Sequence, residues 1–210
     1  MFFEYVFMKI YEMKMAPNPR RVRMFLAEKG IKDIEFIQVD LQKGENLTAE
    51  FKQKNPFGKV PVLELDDGQY ISETVAICRY FEESNPENKL MGETAIEKSH
   101  IDMWQRWVEF FFFIPTGMCF QHSSGYFKDR MNPIKEWGED CRTQIEKFMY
   151  HMNKHLETNT YLLGDKFSIA DITALCTIDF NRVNQISITQ DQLHLKRWYD
   201  DVSARPSAKA

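Results

Sequence analysis

The sequence predicts two architectures in one chain: an α/β segment of order βαβ-ββα over residues 1–84, then an all-α helical bundle over residues 92–210. Three observations carry that reading. Short apolar runs bounded by turn residues alternate with helical periods as far as residue 83. Asp66-Asp67-Gly68-Gln69 marks a hairpin between two of those runs. Beyond Ser84-Asn85-Pro86-Glu87-Asn88 the pattern changes to long helical periods with no strand signal. At 210 residues the chain has room for one large domain or two small ones.

Lys9-Ile10-Tyr11-Glu12-Met13 reads as the first strand, with residues 1–7 as an extension ahead of it. Asn18 suits a helix N-cap and Pro19 the first helical position, where a missing N–H costs nothing. Arg20 to Lys29 then form a helix with Val22, Phe25 and Leu26 on one face, closed by Gly30. Ile34 to Val39 is a second strand, parallel to the first because a helix joins them. Asn55 to Lys59 is turn chemistry before the run Val60 to Leu65. Pro61 cannot donate to a ladder, so it belongs at an edge or an end. Tyr70-Ile71 completes the hairpin, and Ser72-Glu73-Thr74 precedes a helix carrying Val75, Cys78 and Phe81.

Residues 84–91 read as a linker. Ile96 to Phe113 is one long amphipathic helix, which Pro115 to Gly117 should kink or end. Trp137 to Leu156 is another. Ser168-Ile169-Ala170-Asp171 has the form of a capping box, with Phe167 and Ile172 as its staple. A closing helix holds Leu195, Trp198 and Tyr199.

Twenty-seven basic against 31 acidic residues leave a net charge of -4, too negative for a phosphate-backbone surface, so no nucleic acid is expected as partner. Four cysteines with no CxxC pair exclude a zinc knuckle and a dithiol redox motif, and suit a reducing, cytoplasmic setting. The scattered histidines give no metal-ligand spacing. No run approaches the ~18 apolar residues of a membrane span, and the opening MFFEYVFM lacks a basic stretch ahead of an apolar core.

PNPRRVRMFLAEKG, NPFGKVPVL, ISET and FSIADITA follow one another over almost the whole chain. In that order and spacing they resemble the soluble glutathione S-transferase family of bacterial type. The resemblance implies a thioredoxin-like first domain that binds glutathione and a helical second domain with an apolar co-substrate site. It also implies a homodimer and a cytoplasmic detoxification role, with glutathione as co-substrate and no metal. On the matching positions, Thr74 offers its hydroxyl and N–H to the γ-glutamyl carboxylate at a helix start. Glu73 faces the amine, and Val60 pairs through its backbone with the cysteinyl part, beside a cis Pro61. Lys59 or Gln53 reaches the glycine carboxylate. The plainer readings are Thr74 as N-cap, Lys59 as a solubilising charge and Gln53 on a solvated face.

Transfer chemistry needs the glutathione thiolate, and lowering a thiol pKa of ~8.5 by ~2 units takes ~2.7 kcal/mol of preferential anion stabilisation. The family supplies this from a Ser, Tyr or Cys, but the serine position falls on Ala16. Tyr11 lies one residue from the tyrosine position, which turns it to the other strand face. Asn18 can donate its amide N–H₂ to sulfur or serve as N-cap, and backbone N–H groups at the helix start are further donors. Arg20 and Arg21 either turn inward or are solvated. In Phe110-Phe111-Phe112-Phe113, four successive helical residues cover the whole circumference. Phe110, Phe113 and Met118 are therefore candidates for the co-substrate pocket, against subunit contact or core. The expected function is glutathione transfer to small apolar electrophiles. The alternatives are glutathione-dependent peroxidase or disulfide reductase activity, and a non-catalytic binding or regulatory module, which Ala16 favours.

Overall fold

The computed structural model describes residues 8–210, so the extension suggested for residues 1–7 lies outside the described residues. Two compact units divide at Asn88/Lys89, within the segment read as a linker; Lys209–Ala210 belong with the first unit.

The first unit is built on a four-stranded sheet of order β2-β1-β3-β4, with β1 Lys9–Glu12, β2 Glu35–Gln38, β3 Val62–Glu64 and β4 Tyr70–Ser72. β1 and β2 are parallel, joined through α1 Pro17–Glu28; β3 runs antiparallel to β1 and to β4. Period-2 alternation splits β1 between two layers. Ile10 and Glu12 are buried on the side of α1, and Arg23 of that helix pairs with Glu12. On the other side Tyr11 joins Val39, Phe51, Val60 and Val62, where Phe51 comes from α2 Ala49–Lys54. α3 Thr74–Ser84 packs beside α1, burying Ile77, Cys78 and Phe81.

An ion pair secures that helix pair. Lys29, just past the end of α1, bonds Glu82 of α3 at 2.9 Å with both side chains almost fully buried. The same ammonium donates to the Glu87 and Asn88 carbonyls, and Asn88 returns a bond to the Glu28 carbonyl. Such a charge is tolerated in the interior because the ammonium is met by one carboxylate and two carbonyl acceptors.

The second unit is helical: α4 Ala95–Val108, α5 Ile114–Ser124, α6 Lys135–His155, α7 Ile169–Phe180 and α8 Leu193–Ala204. α7 is its axis, with every residue from Ile169 to Ile178 buried. Asp171 joins three elements there, accepting from Ser168 N at 3.0 Å, Leu162 N at 3.0 Å and Trp198 Nε1 at 2.9 Å. The sequence places a break at Pro115 to Gly117; the distortion instead precedes it. Glu109–Phe113 form a π-helical turn that leads directly into α5, with Pro115 in its first turn. A widened turn absorbs the hydrogen bond that proline cannot make and lets the helical path continue.

Candidate functional site

The strand register fixes where the site lies. Val62 pairs with Ser72, so Val60 and Thr74, two residues further out on each strand, leave the sheet at the same end. Tyr11 pairs with Val62, so β1 also ends there and leads into Met13–Ala16 and the start of α1. Residues 13–18, 59–61 and 73–74 therefore converge at one end of the sheet.

Val60 precedes a cis peptide bond to Pro61, and Pro61 stands just before β3 rather than inside it. Among the described residues nothing hydrogen-bonds to the Val60 N–H or C=O, leaving both for an added extended segment. The approach to it is held by two asparagines that sequence reasoning did not select. Asn55, buried, donates to the Lys59 carbonyl at 2.9 Å and accepts from Phe57 N at 3.1 Å; Asn46 donates to the Gly58 carbonyl at 2.7 Å. Gly58 has φ +61°, and a Cβ there would meet the Asn46 carbonyl oxygen at 2.8 Å, so that close turn needs glycine. The asparagine in an Asn-Pro turn was the only signal for this arrangement.

Glu73, not Thr74, is the N-cap of α3, and its side chain makes no capping bond. Its backbone stands at φ 72°, ψ 124°, a region that side chains avoid, which costs ~1–3 kcal/mol. Thr74 is the first helical residue and is 5% exposed, so the N-cap role read for it belongs to its neighbour. Glu73 and Lys59 are exposed. Gln53 is exposed on α2, and α2 is tied down by Lys54, whose ammonium lies over the rings of Tyr11 and Tyr70.

At the start of α1 the structure corrects the N-cap read for Asn18. Ala16 is the cap and Pro17 the first helical residue, which puts Asn18 at the second position and Pro19 at the third. The first turn is accordingly poor in donors. Pro17 and Pro19 have no N–H, and the Arg20 N–H is turned to the Ala16 carbonyl at 3.4 Å. The Asn18 N–H and Nδ2 have no acceptor among the described residues, while its Oδ1 accepts from Arg21 Nη1 at 2.8 Å. Arg21 is 2% exposed, so this arginine is interior.

Arg23, which the sequence leaves unassigned, frames the same turn. It pairs with buried Glu12 and donates to the Lys14 carbonyl at 2.8 Å. Gln38 donates to Glu12 at 2.8 Å and accepts from Lys14 N at 3.0 Å. Both backbone groups of Lys14 are thus held by side chains that share one carboxylate. Tyr11 is half-buried and donates to Glu64, and burial together with that carboxylate pushes its pKa up to about 12. Its hydroxyl is committed to Glu64.

In the helical unit, Phe112 is fully buried, Phe110 half-exposed, and Phe113 and Met118 partly buried. A groove of about 400 Å³ is lined by Trp104, Trp107, Phe111, Phe148 and Met152, with Gln144, Lys147 and His151. Phe111 is the member of the phenylalanine run in that wall; Phe110, Phe113 and Met118 are not part of it. All four cysteines are buried and form no disulfide among the described residues, and burial pushes the Cys141 thiol up to about 11. Among the described residues there is no cluster of three metal-ligating side chains, and no helix is long and apolar enough to cross a membrane.

Comparison with known proteins adds independent findings. Residues 16–84 match the profile described as "Glutathione S-transferase, N-terminal domain", and residues 118–206 match "Glutathione S-transferase, C-terminal domain". The chain is 35% identical to "Glutathione S-transferase 2" of Saccharomyces cerevisiae, over 96% of this chain and 88% of that one. It superposes on the crystal structure of Gtt2 from Saccharomyces cerevisiae with a TM-score of 0.92 at 34% identity, covering 96% of this chain and 98% of the other. It is also 31% identical to "Elongation factor 1-gamma 2" of Oryza sativa subsp. japonica, over 86% of this chain but only 42% of that protein.

Proposed function

The chain belongs to the glutathione S-transferase family, and from that premise we propose that it binds glutathione and directs its thiolate to small apolar electrophiles. One observation carries the reading: the β3–β4 register brings Val60, whose backbone is open among the described residues, to the same end of the sheet as Thr74 at the start of α3.

Glutathione carries two carboxylates and one ammonium, so it needs fixed donors at one end and an acid for its amine. Thr74 supplies the hydroxyl and N–H of a helix start to the γ-glutamyl carboxylate. Glu73, exposed beside it, supplies the negative partner for the ammonium. Val60 receives the cysteinyl backbone as an added strand segment. Lys59 makes no ion pair among the described residues, which supports its assignment to the glycine carboxylate over Gln53 on α2. Asn18, at a helix start with both of its donors open among the described residues, is the group for the thiolate. Phe110, Phe113 and Met118 remain the proposed apolar residues for the electrophile, and a homodimer the proposed assembly.

A second reading is a non-catalytic binding module. It is favoured by Ala16, which has nothing to donate, and by the likeness to an elongation factor 1-gamma protein. Calorimetric titration with reduced glutathione separates the two. One site per subunit in the micromolar to low-millimolar range supports the enzyme, whereas no detectable heat from correctly folded protein removes it.

A further inference from the structure

Asn18 is useful to an anion only if its amide points the right way. The two ends of the group are almost the same size, and a half-turn replaces a donor by an acceptor. Arg21, one helical turn on, removes that freedom. A guanidinium has donors only, so the Asn18 atom 2.8 Å from its Nη1 is the oxygen, and Nδ2 is turned away. Because Arg21 is 2% exposed, water competes little for that bond.

We infer that Arg21 is a positioning residue: it locks the Asn18 amide so that Nδ2 stands out beside the Asn18 N–H, making this helix start a two-donor receptor for the thiolate. This inference rests on the reading of Asn18 as the thiolate's partner. The two prolines give the lock its weight. With Pro17 and Pro19 lacking N–H groups and Arg20 turned to Ala16, no other N–H of the first turn can replace a reversed amide. A reversed amide would set an acceptor against a forming anion, a loss greater than that of one hydrogen bond.

The test is the pKa of enzyme-bound glutathione, followed by thiolate absorbance against pH. It is compared across wild type, Asn18→Ala, Asn18→Asp, Arg21→Met and Arg21→Lys. Losing one charge-assisted bond in Asn18→Ala should raise the bound thiol's pKa by about one pH unit, tenfold less thiolate at neutral pH. Asn18→Asp keeps the Arg21 partner but offers an oxygen where Nδ2 stood, so it should raise the pKa further than Asn18→Ala. Arg21→Met should raise it with Asn18 still present, and Arg21→Lys, which retains a donor, should restore most of the wild-type value.

A purely structural arginine would lower thermal stability without moving the thiol pKa. If Arg21→Met does not fold, the order of Asn18→Asp against Asn18→Ala still decides. The inference falls if glutathione binds normally, Asn18→Ala raises the pKa, and neither Asn18→Asp nor a folded Arg21→Met raises it as stated. Glutathione that fails to bind wild type overturns the underlying reading, and this one with it.

Discussion

Two helices of the second unit begin with the same capping geometry in opposite surroundings, and the difference between them can be measured. At α4, Thr94 Oγ1 accepts from Glu97 N at 3.2 Å, and Glu97 answers at Thr94 N and Glu93 N, all in exposed positions. At α7, Ser168 and Asp171 make the corresponding box in the interior. Replacing Asp171 by alanine orphans three buried N–H donors, those of Leu162, Ser168 and the Trp198 indole, and takes an acceptor from the Ser168 hydroxyl, which can rotate. Each orphan costs ~1–3 kcal/mol. Relief of the buried charge offsets part of this sum, so the expected loss is about 3 kcal/mol, near the lower end. For a chain of this size that lowers Tm by roughly 6–12 °C. Glu97→Ala releases its donors to water and should shift Tm far less. Differential scanning calorimetry of the two variants side by side is the assay. Equal shifts would refute the idea that burial, rather than the box itself, sets the cost.

Three further outcomes follow from the same geometry. Burial raises the Asp171 pKa from 3.8 to about 6, so the folded chain takes up this proton before the unfolded chain does. The contribution is complete below pH 4 and is lost as pH rises through 6. Chemical denaturation from pH 7 to pH 4 should therefore show wild type gaining up to about 3 kcal/mol on Asp171→Ala, and a gain in the opposite direction would remove the assignment. Thr74→Ala should weaken glutathione binding by about 5- to 10-fold in calorimetry. It should leave Tm nearly unchanged, because Glu73 holds the cap position; a large Tm loss with unchanged affinity would count against the clamp. Glu73→Gly relieves a backbone at φ 72° and should hold stability or raise it by about 1 kcal/mol while weakening glutathione binding. Loss of stability there would mean that the carboxylate holds the fold together.

What could be read from the sequence was local. The βαβ-ββα order, the Asp-Gly hairpin and the Ser168–Asp171 box each depend on neighbours within a few residues, so their signals lie in short windows. The start of α1 was misread by two positions because Asn18-Pro19 and Ala16-Pro17 both satisfy the rule for proline in a first turn. Arg21 and Arg23 look like solvated charges on an exposed turn, yet Arg21 bonds Asn18 one turn back, and Arg23 finds partners at Glu12 and Lys14 only because β1 runs past it. The π-helical turn at Glu109–Phe113 has no composition of its own and arises from a helix accommodating Pro115. Asn46 and Asn55 act across a loop on the carbonyls of Gly58 and Lys59, and no periodicity reports a bond of that kind.

The proline pair in the first turn of α1 also leaves a spectroscopic gauge. With no amide hydrogen on Pro17 or Pro19, and that of Arg20 engaged within the helix, the Asn18 amide is the one unprotected reporter among the first four helical residues. In hydrogen–deuterium exchange it should be the fast proton of this stretch when free. Slowing of that single exchange rate would register occupancy at the helix end without a label, a chromophore or a turnover assay.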